Sequence, residues 1–295
     1  MASADGAVVG VTTVVDRGPS GSRFDIVVTG DGYRTDELPV FAARVDEFCE
    51  RLFDAAPFDV LRGVVNVHRL DVVSTDSGAD DPLTCADGTT GDGAAPRTYF
   101  DATFCGGGGG SRRLLTVDAA AVLATVATAV PAYDMVFVQV NAARYGGSGG
   151  PAAVFSAHPD SAEIALHEMG HTAFGLADEY QAKVGCARPD PGHDRHPGPE
   201  PDYPNVTTDP AAGKWADLVL AGTALPTMTC PDPSRCDTRP SPVPAGTVGA
   251  FEGADYHRSG VYRPEYDCRM RTLGSPFCAV CRREIRRQVL RYVSG

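Results

Sequence analysis

The stretch His167-Glu168-Met169-Gly170-His171-Thr172-Ala173-Phe174-Gly175-Leu176-Ala177-Asp178-Glu179-Tyr180 decides how the chain is read. Asp160, three residues before Glu163, marks a helix start, with a cap and a reciprocal partner. Ala162 to Phe174 then has helical composition, and Gly175 is a natural stop. Residues four apart share a helix face, so His167 and His171 point the same way, one turn apart. That spacing lets two imidazole nitrogens reach one Zn²⁺ at about 2.0–2.1 Å. Glu168 is next to the first histidine and cannot share its direction. It points to the side of the ion, where a carboxylate can take a proton from an activated water and hand it to a leaving amine. The bland alternative is a pair of histidines that pack or cap a helix.

Two histidines and a water leave a tetrahedral site one protein ligand short. Gly175 permits a positive φ, which lets the chain double back. Asp178, seven residues after His171, is then the expected third ligand, and Glu179 becomes the ligand if the register shifts by one.

Outward from this helix, the N-terminal part alternates strands and helices. Arg23 to Thr29 and Gly63 to Val73 read as strands, and Asp134 to Asn141 as a third buried on both faces. Thr35 to Phe53 has Leu38, Phe41, Val45, Phe48 and Leu52 on one helical face, and Val117 to Val130 is an alanine-rich helix. Ala152 to Ser156 reads as a short strand at the sheet edge, open to an extended substrate by strand addition. The order predicts an α/β fold with a twisted, mostly parallel sheet and packed helices. Gly106 to Gly110 reads as a flexible connector; it lacks the lysine and Ser/Thr of a phosphate loop. After Tyr180 the pattern dissolves into Pro- and Asp-rich loops, and only Phe277 to Tyr292 looks helical again. We therefore expect an upper α/β part over 1–180 and an irregular lower part over 181–295, together one catalytic unit.

A chain of 295 residues can bury a sizeable core. Its net charge of −12, without a basic stripe, argues against a nucleic-acid partner. No apolar run reaches the roughly 18 residues of a membrane span, so no membrane partner is expected. No signal peptide is visible, which makes the cytoplasm the default, while nine cysteines keep an oxidising compartment open. Nine is odd, so at least one thiol stays unpaired, binds metal or pairs with another chain. Cys85 with Cys105, and Cys230 with Cys236, are candidate pairs. Cys278-Ala279-Val280-Cys281 has only Cys268 nearby in sequence; a four-cysteine zinc site would need a distant recruit, and a disulfide or packing is the favoured reading. Tyr180, Tyr256, Tyr262 and Arg271 are candidate oxyanion stabilisers. His158 lines a cleft or caps a turn, His193 and His196 read as solvated, and Asn205-Val206-Thr207 fits a glycosylation acceptor.

The stretch HEMGHTAFGLADEY resembles the active-site segment of the IgA-peptidase-like metallopeptidases, the sixty-fourth metallopeptidase family. Four further blocks are similar to that family in the same order: FDIVVTGDGY (24–33), PFDVLRGVVNVHRLDVVSTDSGAD (57–80), VFVQVNAARYGGSGG (136–150) and GVYRPEYDCRMRTLGSPFCAVC (260–281). The resemblance implies a zincin-type endopeptidase acting on peptides or proteins, with one catalytic Zn²⁺, His167 and His171 as ligands and Glu168 as acid/base. Related metzincins place the helix-ending glycine three residues after the second histidine. Here it is four, and that extra residue leaves the third ligand open between Asp178 and Glu179. Cys268-Arg269-Met270-Arg271 looks like the methionine turn that underlies the metal in such enzymes. A zincin-shaped module without catalysis, or a zinc amidase acting on cell-wall peptides, is the alternative.

Overall fold

The computed structural model describes residues 5–107, 109–181, 191–232 and 239–293. The chain divides into two compact units, one of residues 1–173 and 288–295, the other of residues 174–287.

The first unit is an α/β sheet structure. Its strands are β1 (Gly6–Val15), β2 (Phe24–Asp31), β3 (Val65–Ser74), β4 (Met135–Val140), β5 (Gly147–Ser148) and β6 (Ala153–Ser156). They lie in the order β1-β3-β2-β4-β6-β5. The four inner strands are parallel to one another, and β1 and β5 pair antiparallel at the two ends. The helices of this unit are α1 (Leu38–Asp54), α2 (Phe58–Leu61), α3 (Ala119–Ala129) and α4 (Ser161–Phe174), the last residue of which begins the second unit.

Alternation along β4 sorts the two faces. Phe137 meets Phe48 of α1 edge-on, ring centroids 4.9 Å apart, and Phe155 of β6 lies 5.9 Å from the same ring. On α1, Phe41, Val45, Phe48, Cys49, Leu52 and Phe53 are buried, a stripe of three- and four-residue steps. Val136, Val138 and Val140 project the other way, into a core with Val122 and Val126 of α3. Each such side chain, fully buried, contributes about 1.5–3 kcal/mol.

Three features depart from the sequence expectation. Strand β1 was not foreseen: it is largely exposed and has no clean alternation, and its pairing with β3 forms it. The glycine run is ordered around Cys105 at its described residues: Gly106 donates its N–H to Leu114 and Gly110 to Cys105, at 2.8 and 2.7 Å. Strand β6 is not an open edge, because Gly147 and Ser148 pair with Phe155 and Val154, and Gly147 bridges on to Leu114. Strand addition at β6 is therefore blocked at those residues.

The second unit holds α5 (Pro191–Asp194), the hairpin β7 (Phe251–Ala254) and β8 (His257–Arg263), and most of α6 (Ala279–Leu290). The hairpin interrupts what the sequence predicts as irregular chain. Its strands are short, and its turn residues, Asp255 and Tyr256, carry no glycine signal. No helix among the described residues is long and apolar enough to cross a membrane.

Candidate metal centre

Helix α4 begins five residues after β6 ends. The Asp160 carbonyl accepts from the N–H groups of Glu163 and Ile164, both at 3.1 Å. The Asp160 N–H donates to Nδ1 of His158, 3.2 Å away, and the His158 ring stands edge-on to Tyr145. His158 thus serves the turn that starts the helix.

Ile164, Ala165, Leu166 and Met169 of α4 are buried, whereas His167, Glu168 and His171 are half-buried. The helix packs by its apolar side chains and leaves these three polar ones partly open. The Nε2 atoms of His167 and His171 face each other at 3.2 Å, with the rings nearly perpendicular at 84°. Two nitrogens bound tetrahedrally to zinc stand about 3.3 Å apart, given bonds of about 2.0–2.1 Å. The histidine pair is held at ligand spacing, so the donors present fit the ion.

The glycine-rich turn before β6 explains how the acid is placed. A Cβ on Gly149 would stand 2.8 Å from Oε2 of Glu168 and 3.5 Å from Cβ of His171. A Cβ on Gly147 would stand 2.5 Å from Cγ2 of Ile164. The turn lies directly against α4 because it has no side chains at these positions. Sequence reading missed Gly149 as a wall of the site. The spacing of a glycine cluster shortly before a His-Glu-x-x-His helix was the available signal.

Past Phe174, the chain continues with Gly175 at φ +61°, the left-handed exit expected of it. Leu176, Ala177, Asp178 and Glu179 are buried. Asn205 pins this loop as a neighbouring strand would: its Oδ1 accepts from Ala177 N–H at 2.8 Å, and its Nδ2 donates to Ala177 C=O at 2.9 Å. Asn205 has no exposed surface, so the expected glycosylation site is overturned. Glu179 donates its N–H to the carbonyl of Met270 at 2.7 Å. Met270 is buried in a tight turn, closed by the Arg271 and Thr272 N–H groups on the Cys268 carbonyl at 2.9 and 2.8 Å. The methionine turn is thereby fastened to the residue after Asp178.

Asp178 and Glu179 face different surroundings. Tyr256 donates its hydroxyl to Oδ2 of Asp178, and the backbone of Asp255 and Tyr256 donates to the carbonyls of Asp178 and Tyr180. Asp255 and Tyr256 are both left-handed, at φ +45° and +62°, a strained choice for residues with side chains. That turn aims the phenol at the carboxylate. Burial first, and then the charge of Asp178, push the Tyr256 phenol up, keeping it a donor. Glu179 instead directs Oε1 to Nδ2 of Asn205, at 2.9 Å, and to the thiols of Cys278 and Cys281.

The remaining candidates sort by contact. Tyr180 stacks edge-on with Tyr256, and Arg271 lies over the Tyr266 ring with an ion pair to Asp267. Tyr262 is largely buried, which pushes its phenol up. His196 is not solvated as expected: it packs edge-on against His257, and its N–H donates to Ser259 at 2.9 Å. The side chain of His193 lies outside the described residues.

Cys85 and Cys105 form a disulfide, as the sequence suggested. Cys230 is also disulfide-bonded; Cys236, its expected partner, lies outside the described residues. Cys268, Cys278 and Cys281 are buried thiols, so of the two favoured readings the disulfide is not formed.

Set beside known proteins, the chain matches the family model described as IgA Peptidase M64 over residues 12–235 and 240–289. No curated protein matches it.

Proposed function

The chain belongs to the IgA peptidase M64 family and is a metallopeptidase by that membership; from this premise we propose that it is a zinc-dependent endopeptidase in which His167, His171 and Asp178 hold the ion and Glu168 carries the proton. The observation that bears most weight is the opposed Nε2 pair at 3.2 Å beside Glu168 on one helix face. A packing role for the histidines would not require that spacing. Two imidazoles and one carboxylate form a donor set suited to zinc and leave its fourth position open. Bound there, zinc would lower the pKa of a water towards about 7 and polarise the scissile carbonyl.

The residues divide the remaining work. Glu168, whose carboxylate has room because Gly149 has no side chain, accepts the proton of the attacking water and returns it to the leaving nitrogen. Asp178 keeps its direction because the Tyr256 hydroxyl and the clasped loop backbone fix it. Glu179 is set aside as a ligand of this ion because its carboxylate turns to the thiols of Cys278 and Cys281.

The test pairs metal analysis with a peptide-library digest of wild type and Glu168→Ala. Zinc in both proteins, with cleavage in the wild type alone, supports the reading. Zinc in both with no peptide cleaved would favour a binding module, and cleavage confined to cell-wall peptides would favour the amidase. Asp178→Ala against Glu179→Ala, scored by metal retained at the histidine site, separates the two carboxylates.

A further inference from the structure

The second unit contains another set of donors, which the hydrolytic mechanism does not use. Glu179, Cys268, Cys278 and Cys281 each offer one ligand atom, and the four atoms lie within 4.8 Å of one another. At most 1% of any of these residues is exposed. Sγ of Cys268 and Sγ of Cys281 are 3.8 Å apart. Oε1 of Glu179 is 3.4 Å from Sγ of Cys281 and 3.7 Å from Sγ of Cys278.

These separations have a simple geometric meaning. Two thiolates on tetrahedral zinc, with Zn–S bonds of about 2.3 Å, stand about 3.8 Å apart; a thiolate and a carboxylate oxygen stand about 3.6 Å apart. A disulfide would need about 2.05 Å between sulfurs. The backbone is arranged for charged sulfur: Cys278 donates its N–H to Sγ of Cys268 at 3.2 Å, and Cys281 donates its N–H to Sγ of Cys278 at 3.4 Å. The carboxylate is oriented by Asn205 at 2.9 Å, as outer partners orient metal ligands. A carboxyl buried among three thiols keeps its charge where a cation compensates it, and otherwise takes up a proton.

We propose that Cys268, Cys278, Cys281 and Glu179 hold a second, structural zinc ion. Three thiolates select a soft, thiolate-preferring divalent metal over calcium or magnesium. All four positions are taken by protein atoms, the mark of a structural rather than a catalytic centre. The ion joins three chain segments: the loop just past Asp178, the start of the Met270 turn, and the first turn of α6. Its formation releases the thiol protons and makes four metal–ligand bonds without any change in oxidation state.

The experiment uses the full-length protein, purified without chelator. Elemental analysis should return two zinc per chain in the wild type and one in a His167→Ala/His171→Ala variant. Refilling with Co²⁺ should give a thiolate-to-cobalt charge-transfer band in both, since sulfur ligates at this site alone. Cys278→Ser/Cys281→Ser should lose the band and one equivalent of metal. Because that variant can fail to fold, a mercurial titration of wild type should release one zinc as Cys268, Cys278 and Cys281 react. Cobalt-loaded wild type without the band, or a disulfide joining any two of the three cysteines in native protein, overturns the proposal. A band that persists while the histidine site binds no metal would instead defeat the peptidase reading and leave this one standing.

Discussion

Gly149 and Tyr256 show how single residues set the proposed chemistry without taking part in it. Gly149→Ala puts a methyl group where Glu168 Oε2 now lies, 2.8 Å from the new carbon. A displacement of the acid by about 1 Å should lower kcat about 10²-fold, while zinc content, read by elemental analysis, stays at the wild-type value. Glu168→Ala should cost about 10²–10⁴-fold in kcat/KM. Tyr256→Phe removes the hydroxyl that Asp178 accepts. Loss of such an outer partner costs about 10–100-fold in metal affinity, measurable by chelator competition. His167, Glu168 and His171 were legible in the sequence because a helix converts spacing into direction. Gly149 and Tyr256 were not, because each acts across a gap in sequence that no local period spans. The sequence favoured Asp178 over Glu179 by spacing alone, and the different partners of the two, at 205 and 256, were out of its reach.

Among the elements, the loop before the Met228 to Arg263 region depends on one exposed acid. Glu200 accepts from the Thr208 N–H and hydroxyl and pairs with Lys214 at 2.9 Å; Lys214 also donates to the carbonyls of Pro201, Tyr203 and Val206. Partial burial works against the Glu200 charge, but the bonds from Thr208 and Lys214 outweigh it and hold the pKa at about 2. The native pKa is below the ordinary glutamate value, so the unfolded chain takes up the proton first. The stabilisation is complete above about pH 4.5 and is lost as pH falls towards 2. Glu200→Gln should flatten the dependence of Tm on pH in that window, and an unchanged slope would remove Glu200 from the account. Reduction of Cys85–Cys105, which closes a 20-residue separation, should cost about 3 kcal/mol in denaturant melts. The parallel strands were readable because continuous apolar runs announce burial on both faces. The β7–β8 hairpin was not, since its turn uses left-handed Asp255 and Tyr256 in place of the usual glycine or asparagine.

At the scale of the whole molecule, the chain leaves the first unit at Ala173 and returns to it at Gln288. The family resemblance spans both units, and composition gave no sign of the return, because α6 is amphipathic from end to end. Tyr292 stacks edge-on against Phe24, with ring centroids 5.7 Å apart, and its hydroxyl bonds to Asp134, which also receives the Asp25 N–H. Removing 288–295 should therefore expose β2 to proteolysis before any loop of the second unit is affected. The same return sets an order in time. The ribosome delivers residue 24 long before residue 292, so the sheet waits for its last partner until all of the second unit has emerged. A nascent chain stalled before Gln288 should remain protease-sensitive at β2, because the scaffold lacks that partner while the chain is still being made.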